Sequence, residues 1–397
     1  MGNDWIGGQL GDFVQIGSSK RIFYKEYVPE GVPFYRSKEV IEKSSRKNVS
    51  TELYILHNRF KEIKEKFGVP QKGDILLTSV GTLGVPWVVD TDEDFYFKDG
   101  NLTWFKDFHP RLNNHFLFYW LVSPIGKNEL EMSSIGSTQP ALTIKGLKEL
   151  SISIPPIEEQ IAIIGVLSAL DDKIDLLQRQ NRTLESLAQA LFRHWLIDGA
   201  GADWEECSLY DAIELVGGGT PKTSEAEYWG GDIYWLSGGD IANNHKNFVV
   251  SSDKTITELG LQKSATKLLP QFSTVISARG TVGKYCLLAE PMAFSQTSYG
   301  VKPKFEHCFF FTYLLIDHSV TELLSAAYGS VFDTITIRTF QNQRICVPSE
   351  AEILSFEDQI TPYFQRMKLN QIQIRTLASL RDTLLPKLMS GEVRVRG

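Results

Sequence analysis

The sequence predicts an α+β protein: two similar α/β domains separated by two long helices that form an antiparallel coiled coil, with an internal pseudo-twofold repeat. Three observations predict it: a long-period duplication, a heptad run in mid-chain, and ordinary globular composition over 397 residues, 42% hydrophobic and 22% charged. The last excludes a disordered or fibrous chain.

The duplication sets the organisation. "DWIGGQLGDF" at 4–13 answers "DWEECSLYDA" at 203–212, with Trp5 matching Trp204, Leu10 matching Leu209 and Asp12 matching Asp211, 199 positions apart. "GDILLTSVGTLG" at 73–84 answers "FSTVISARGTVG" at 272–283 at that same offset, each an apolar strand running into a Gly-Thr-x-Gly turn. "GSTQPALTI" at 136–144 answers "GSVFDTITI" at 329–337, Pro155 answers Pro348 and "RTLESL" at 182–187 answers "RTLASL" at 375–380, now 193 positions apart. Each half is therefore a globular domain followed by a helix: 1–153, 154–198, 199–347 and 348–397.

The first helix starts at Pro156, a favourable first helical residue, with Glu158 and Glu159 against the positive end of the dipole. Gly199 and Gly201 stop it, giving a span from Ile157 to Ile197 of about 60 Å. Its seam is a heptad of Leu167, Ile174, Asn181, Ala188 and Trp195 with Ile163, Leu170, Leu177, Leu184 and Leu191. The repeat carries the register onto Phe356, Tyr363, Asn370, Leu377 and Leu384 with Ile360, Met367, Ile374, Arg381 and Leu388. Antiparallel pairing then sets Asn181 against Asn370, a polar layer that fixes register at some cost in stability. Arg381 on Leu170 is the weak layer, where the guanidinium must snorkel outward. Pro362 and Pro386 limit the second helix to a straight run between them.

The net charge of −7 is distributed without a basic domain: residues 1–153 carry 19 basic and 19 acidic side chains, residues 199–347 carry 11 and 16. Any nucleic-acid contact must come from a local face or be shared with a partner. Cys207, Cys286, Cys308 and Cys346 have neither disulfide nor zinc spacing and read as buried thiols. No apolar run is long enough for a membrane span and the start lacks a signal-peptide layout, so a cytoplasmic location is the default.

The order domain, helix, domain, helix, with "IPPIEEQ" opening the first helix and "LRDTLLPKLMSGEVRV" (380–395) ending the second, resembles the specificity (S) subunits of type I restriction-modification systems. "SARGTVGK" (277–284) and "GGGTPKTSEAEYWGGDIYWLSGGDI" (217–241) carry the same resemblance, whereas residues 17–39, "GSSKRIFYKEYVPEGVPFYRSKE", look like a different recognition-domain type. The resemblance spans essentially the whole chain. It implies a non-catalytic reader of double-stranded DNA whose two target-recognition domains each recognise half of a split target. The helices would set the gap and dock two modification (methyltransferase) subunits. Those partners would use S-adenosylmethionine, and restriction (helicase-nuclease) subunits would add ATP and Mg; the chain itself would hold no cofactor and no metal. The chain opens on the first recognition domain, so its last helix is expected to close the pseudo-twofold arrangement.

The residues agree that no chemistry is evident. The only Pro-Pro follows Ile154, unlike an adenine methyltransferase loop, and "GTVGK" at 280–284 has Ala278 and Tyr285 where a phosphate-binding loop needs Gly and Ser or Thr. "VGGGTP" reads as a turn that is either DNA-facing or structural. No HExxH or nucleophile motif is present.

Base readout needs bidentate cations for guanine, amides for adenine, and hydroxyls or aromatic edges beside them. Candidates in the first domain are Lys20, Arg21, Tyr24, Arg36 and Lys38, in loop-like sequence; in the second they are Thr220, Lys222, Thr223, Tyr228, Trp229, Arg279 and Gln296. Tyr234 and Trp235 read as core. Two other functions remain open from the residues: a helix-spaced scaffold binding protein or RNA without DNA sequence specificity, and an unrecognised enzyme.

Overall fold

A computed structural model describes residues 4–47, 49–136, 140–199, 201, 204–328 and 334–395. Asp203 and parts of the two repeat segments 136–144 and 329–337 lie outside the described residues. The chain forms two compact units, Met1–Asp175 with Leu377–Gly397, and Leu176–Thr376. Both boundaries fall inside the long helices, so each unit holds one recognition fold and half of each helix.

The first unit has two four-stranded sheets. One orders Gln15–Gly17, Leu102–Lys106, Ile75–Thr78 and Pro86–Val88; the other orders Tyr27–Val28, Tyr54–Ile55, Val32–Tyr35 and Tyr96–Phe97. A separate antiparallel ribbon pairs Ile6–Gln9 with Ser151–Ile154. The second unit repeats this plan with a five-stranded sheet, Ile213–Gly217, Ser298–Pro303, Thr274–Ser277, Tyr285–Leu288 and Phe248–Val249, a four-stranded sheet, and a ribbon of Glu205–Ser208 with Arg344–Val347.

The duplication extends to single hydrogen bonds. Leu10 N–H donates to Leu150 O at 2.8 Å, and Leu209 N–H to Gln343 O at 2.9 Å. Ile6 faces Ile154, and Glu205 faces Val347. The Gly-Thr-x-Gly turns both join antiparallel strands, with Gly81, Gly84, Gly280 and Gly283 all at positive φ, +74° to +81°. A hairpin in this position also disposes of the phosphate-loop comparison, since such a loop must open a helix.

The central helix is α-helical over Ile157–Arg193, 37 residues, and then changes to a π-helical turn, His194–Asp198, ending at Gly199. The helical run thus reaches Ile197 as expected, with its last turn widened to a π-helix. Pro156 stands just before it, its carbonyl accepting the N–H of Gln160 at 3.0 Å, so it caps the helix instead of opening it. The C-terminal helix runs Glu350–Ser390, 41 residues, through both Pro362 and Pro386, which therefore do not bound it.

The predicted seam is buried or half-buried along its length. In the second unit Asn370 donates to Asn181 at 2.8 Å, and Trp195 stacks on Phe356 with centroids 4.8 Å apart. These two layers fix the antiparallel register expected from the heptads. In the first unit Arg381 escapes the seam as expected, but into a bond with Asp171 at 2.8 Å, not into water alone. Tyr119 donates to the other oxygen of that carboxylate at 2.8 Å.

The seam is only part of each helix's burial. Ile163, Leu167, Leu385, Leu388 and Met389 join Leu10, Ile75, Phe105, Phe116 and Trp120 in the core of the first unit. Ala188, Phe192, Phe356, Ile360 and Phe364 join Leu209, Ile276, Phe310 and Tyr313 in that of the second. Each domain therefore grips its helices through a continuous apolar core, which makes the helix ends rigid parts of the domains.

Cysteine burial is mixed. Cys286 and Cys308 are buried as expected and Cys207 half-buried, whereas Cys346 is exposed, because alternate residues of the strand Arg344–Val347 turn outward. Trp235 is buried and donates Nε1–H to Gly219 O at 3.0 Å, and Tyr234 is half-buried, as core residues.

Candidate nucleic-acid interface

In the second unit three segments converge at one end of the fold. The backbone N–H groups of Ala278 and Arg279 donate to Thr297 O at 2.8 and 3.1 Å, tying the start of the Gly-Thr-x-Gly turn to the Ser295–Ser298 turn. Gly219 N–H donates to Phe294 O at 3.0 Å, bringing in the "GGGT" loop. That approach explains the glycines: a Cβ on Gly218 would collide with Ser295 O, and one on Gly219 with the backbone of Thr266. Arg279 and Gln296 are exposed here and Thr220 is half-buried. Ser295 and Thr297 share a hydroxyl contact at 2.8 Å. Thr297 was missed from sequence; the polar run "SQTS" between two apolar strands was its signal.

The other candidates of this unit sit further along the first loop. Lys222 and Thr223 are exposed, and Lys222 O accepts Trp229 Nε1–H at 3.1 Å. Trp229 packs edge-on against Trp235, centroids 5.2 Å apart, with Lys254 Nζ 5.6 Å from its ring. Tyr228 is half-buried and its carbonyl accepts the N–H of Thr257 at 3.0 Å. Both aromatics brace the loop.

The first unit builds the same end. Ser79 N–H donates to Asn101 O at 2.8 Å, as Ala278 does to Thr297 O. Strand Val32–Tyr35 runs parallel to Tyr96–Phe97, as Trp229–Leu236 does to Met292–Phe294. Helices Ser37–Ser44 and Gly238–Asn243 follow, and each is capped by a buried carboxylate: Glu39 accepts Arg36 N–H at 2.7 Å, Asp240 accepts Ser237 N–H at 2.8 Å. The frameworks coincide while the side chains differ: Val80 stands where the second unit has Arg279, and Asp99-Gly100 where it has Ser295-Gln296.

Of the first-unit candidates, Lys20, Arg21 and Arg36 lie outside helices and strands, as expected, while Tyr24 and Lys38 sit on short helices. Lys20 N–H donates to the buried Tyr96 hydroxyl at 2.6 Å, and its Nζ lies 5.0 Å from the Phe67 ring. Arg21 Nε bonds Asp99 at 2.7 Å. Tyr24, 89% exposed, sits on a 3-10 turn edge-on to Tyr27. Burial, then the charge of Asp99, raises the Tyr27 pKa against the opposing charge of Arg36. Lys38 lies on the helix Ser37–Ser44, 4.0 Å from Glu42. Arg36 is committed elsewhere: its guanidinium bonds Glu39 at 2.9 Å. Burial alone would raise the Glu39 pKa, yet the hydrogen bonds and charge of Arg36 bring it below the ordinary carboxylate value.

No group of His, Cys, Asp and Glu with metal-ligand geometry occurs among the described residues, and no described helix is long and apolar enough to cross a membrane.

Residues 2–186 and 201–375, one stretch in each half of the duplication, match the type I restriction modification DNA specificity domain. The chain belongs to that family. Along its length it is 25% identical to the type I restriction enzyme HindI specificity subunit of Haemophilus influenzae, covering 98% of this chain and 100% of the relative. It is 26% identical to the MjaIX specificity subunit of Methanocaldococcus jannaschii, covering 99% and 94%. The crystal structure of the type I restriction-modification S subunit from M. genitalium shares its fold with TM-score 0.62 at 17% identity, over 98% of this chain and 97% of that one. As a type I specificity subunit, the chain serves DNA sequence recognition, and the duplicated loop ends are its candidate DNA-facing surfaces.

Proposed function

We propose that each loop end reads one half of a split double-stranded DNA target, and that the helix pair sets the gap between the halves. The observation that carries this is the repeated framework with unlike side chains: the same backbone bonds present Arg279 and Gln296 in one unit, Val80 and Gly100 in the other, with Asp99 where the second unit has Ser295. Common geometry with different donors and acceptors suits two different half-sites. Arg279, Gln296, Lys222 and Thr223 serve the second half-site; Lys20, Arg21 and Tyr24 serve the first, and Arg36 supports them through Glu39.

The helices also dock two modification subunits in this reading. Exposed apolar residues on them come in repeat-related pairs 193 positions apart: Ile161 and Leu354, Leu176 and Leu369, Leu187 and Leu380. An outer face repeated in this way suits two copies of one partner. The chain acts without its own catalysis or cofactor, in the cytoplasm. The modification subunits use S-adenosylmethionine, and restriction subunits join with ATP and Mg.

Exchange of residues 204–347 for the matching segment of another specificity subunit tests the proposal. Methylated sites should change in one half only. Unchanged sites, or changes in both halves, would overturn the split reading.

A further inference from the structure

We infer that Arg21 reads a guanine in the half-site of the first domain, and that Asp99 is the positioning residue that holds Arg21 for it. This rests on the proposed DNA-facing role of the loop end. Arg21 is fixed on both sides. The N–H of Lys20 is held by the hydroxyl of Tyr96, itself 1% exposed, and Ile22 is buried in the core beside Phe34 and Trp104. A short segment anchored at both neighbours leaves Arg21 little freedom except to project outward.

Its side chain does so, with 67% of its surface exposed, while Asp99, 18% exposed, accepts Nε at 2.7 Å. Both terminal nitrogens are without another ion pair or hydrogen bond among the described residues. A guanidinium held at Nε presents its terminal edge as a fixed fork, the shape that matches O6 and N7 of guanine in the major groove. An exposed ion pair contributes little to folding stability, so its consequence is preorganisation: the rotamer entropy of a long side chain is lost before DNA arrives. Asp99 lies on the turn whose counterpart in the second domain carries Gln296, which places this fork at the same end of the framework as the candidate readers there.

The full chain assembled with its modification subunits provides the test, by sequencing methylated DNA for the unaltered protein and for Arg21→Ala, Arg21→Lys and Asp99→Asn. Asp99→Asn keeps a residue that suits the turn before Gly100 while removing the charge. The first half-site should contain a guanine. Arg21→Ala and Arg21→Lys should each relax that one position by between about 5-fold and about 150-fold, with the second half-site unchanged. Asp99→Asn should relax the same position by a smaller factor at unchanged melting temperature. A guanine-free first half-site, full discrimination by Arg21→Lys, or unaltered sites in Arg21→Ala would each overturn the inference while leaving a split target intact. Absence of any split target with the unaltered protein would instead overturn the proposed function, and this inference with it.

Discussion

Asn370 donates its side-chain amide to Asn181 at 2.8 Å, and Asn181 donates its own amide to Met367 O at 3.3 Å. Both residues are buried, and besides Asn181 the Asn370 amide reaches only Gln180 Oε1, at 3.5 Å. Asn181→Leu alone should strand the Asn370 amide and destabilise the chain by about 1–3 kcal/mol. The double change to Leu should recover most of that loss while weakening the preference for one register. Chemical denaturation of the four combinations checks this; additive losses would mean that the two amides do not interact.

A second pair separates support from contact in the first domain. Arg36→Ala leaves the buried Glu39 carboxylate without its countercharge, at a cost of about 1–3 kcal/mol. Because the Glu39 pKa is depressed in the folded chain, the stability it contributes is present above the ordinary carboxylate pKa and lost as pH falls through the folded value. The difference between Arg36→Ala and the unaltered chain should therefore be full at neutral pH and shrink under acid. Thermal melting across pH 3 to 8 measures it; a pH-independent difference would contradict the assignment.

Glu185 behaves in the opposite sense. Burial raises its pKa to about 7, opposed by the hydrogen bond from Tyr313 at 3.0 Å and the charge of Lys246. A carboxyl raised on folding binds its proton more tightly in the folded state, so stability falls as pH rises from the ordinary carboxylate value to about 7 and stays lower above it. Glu185→Gln keeps an acceptor for Tyr313 and should stabilise the chain at pH 8 by on the order of 2 kcal/mol, with little effect near pH 4. Equal effects at both pH values would exclude this account.

The repeated apolar pairs predict stoichiometry. Leu187→Asp should remove one of two modification subunits and Leu380→Asp the other, with the double variant binding neither. Native mass spectrometry of the assembled complex counts them. Two bound copies in the double variant would place the docking surface elsewhere.

Much of this fold was legible in the sequence because its signals are periodic. The heptads set Asn181 against Asn370, and the 199-position offset located both Gly-Thr-x-Gly hairpins. The pairing of Arg21 with Asp99, of Arg36 with Glu39, and the convergence of Arg279 with Thr297 were not legible. The first and last join residues far apart in the chain through loops and sheet order that no local period encodes, and Arg36 looked like a free cation because nothing in the sequence marks Glu39 as buried. The burial of Phe364 and Leu385 escaped for a related reason: they sit beside the heptad seam and face the domains, a second periodicity superposed on the first.

The central claim is that two independent readers are spaced by a helix pair, and an insertion tests it most directly. Four residues added after Arg179 lengthen the helix by about 6 Å, nearly two base pairs at about 3.4 Å per step. Sequencing the methylated sites of that variant should return the same bases in both half-sites, separated by a wider gap. An active variant with an unaltered gap, or one with altered half-site bases, would contradict the account.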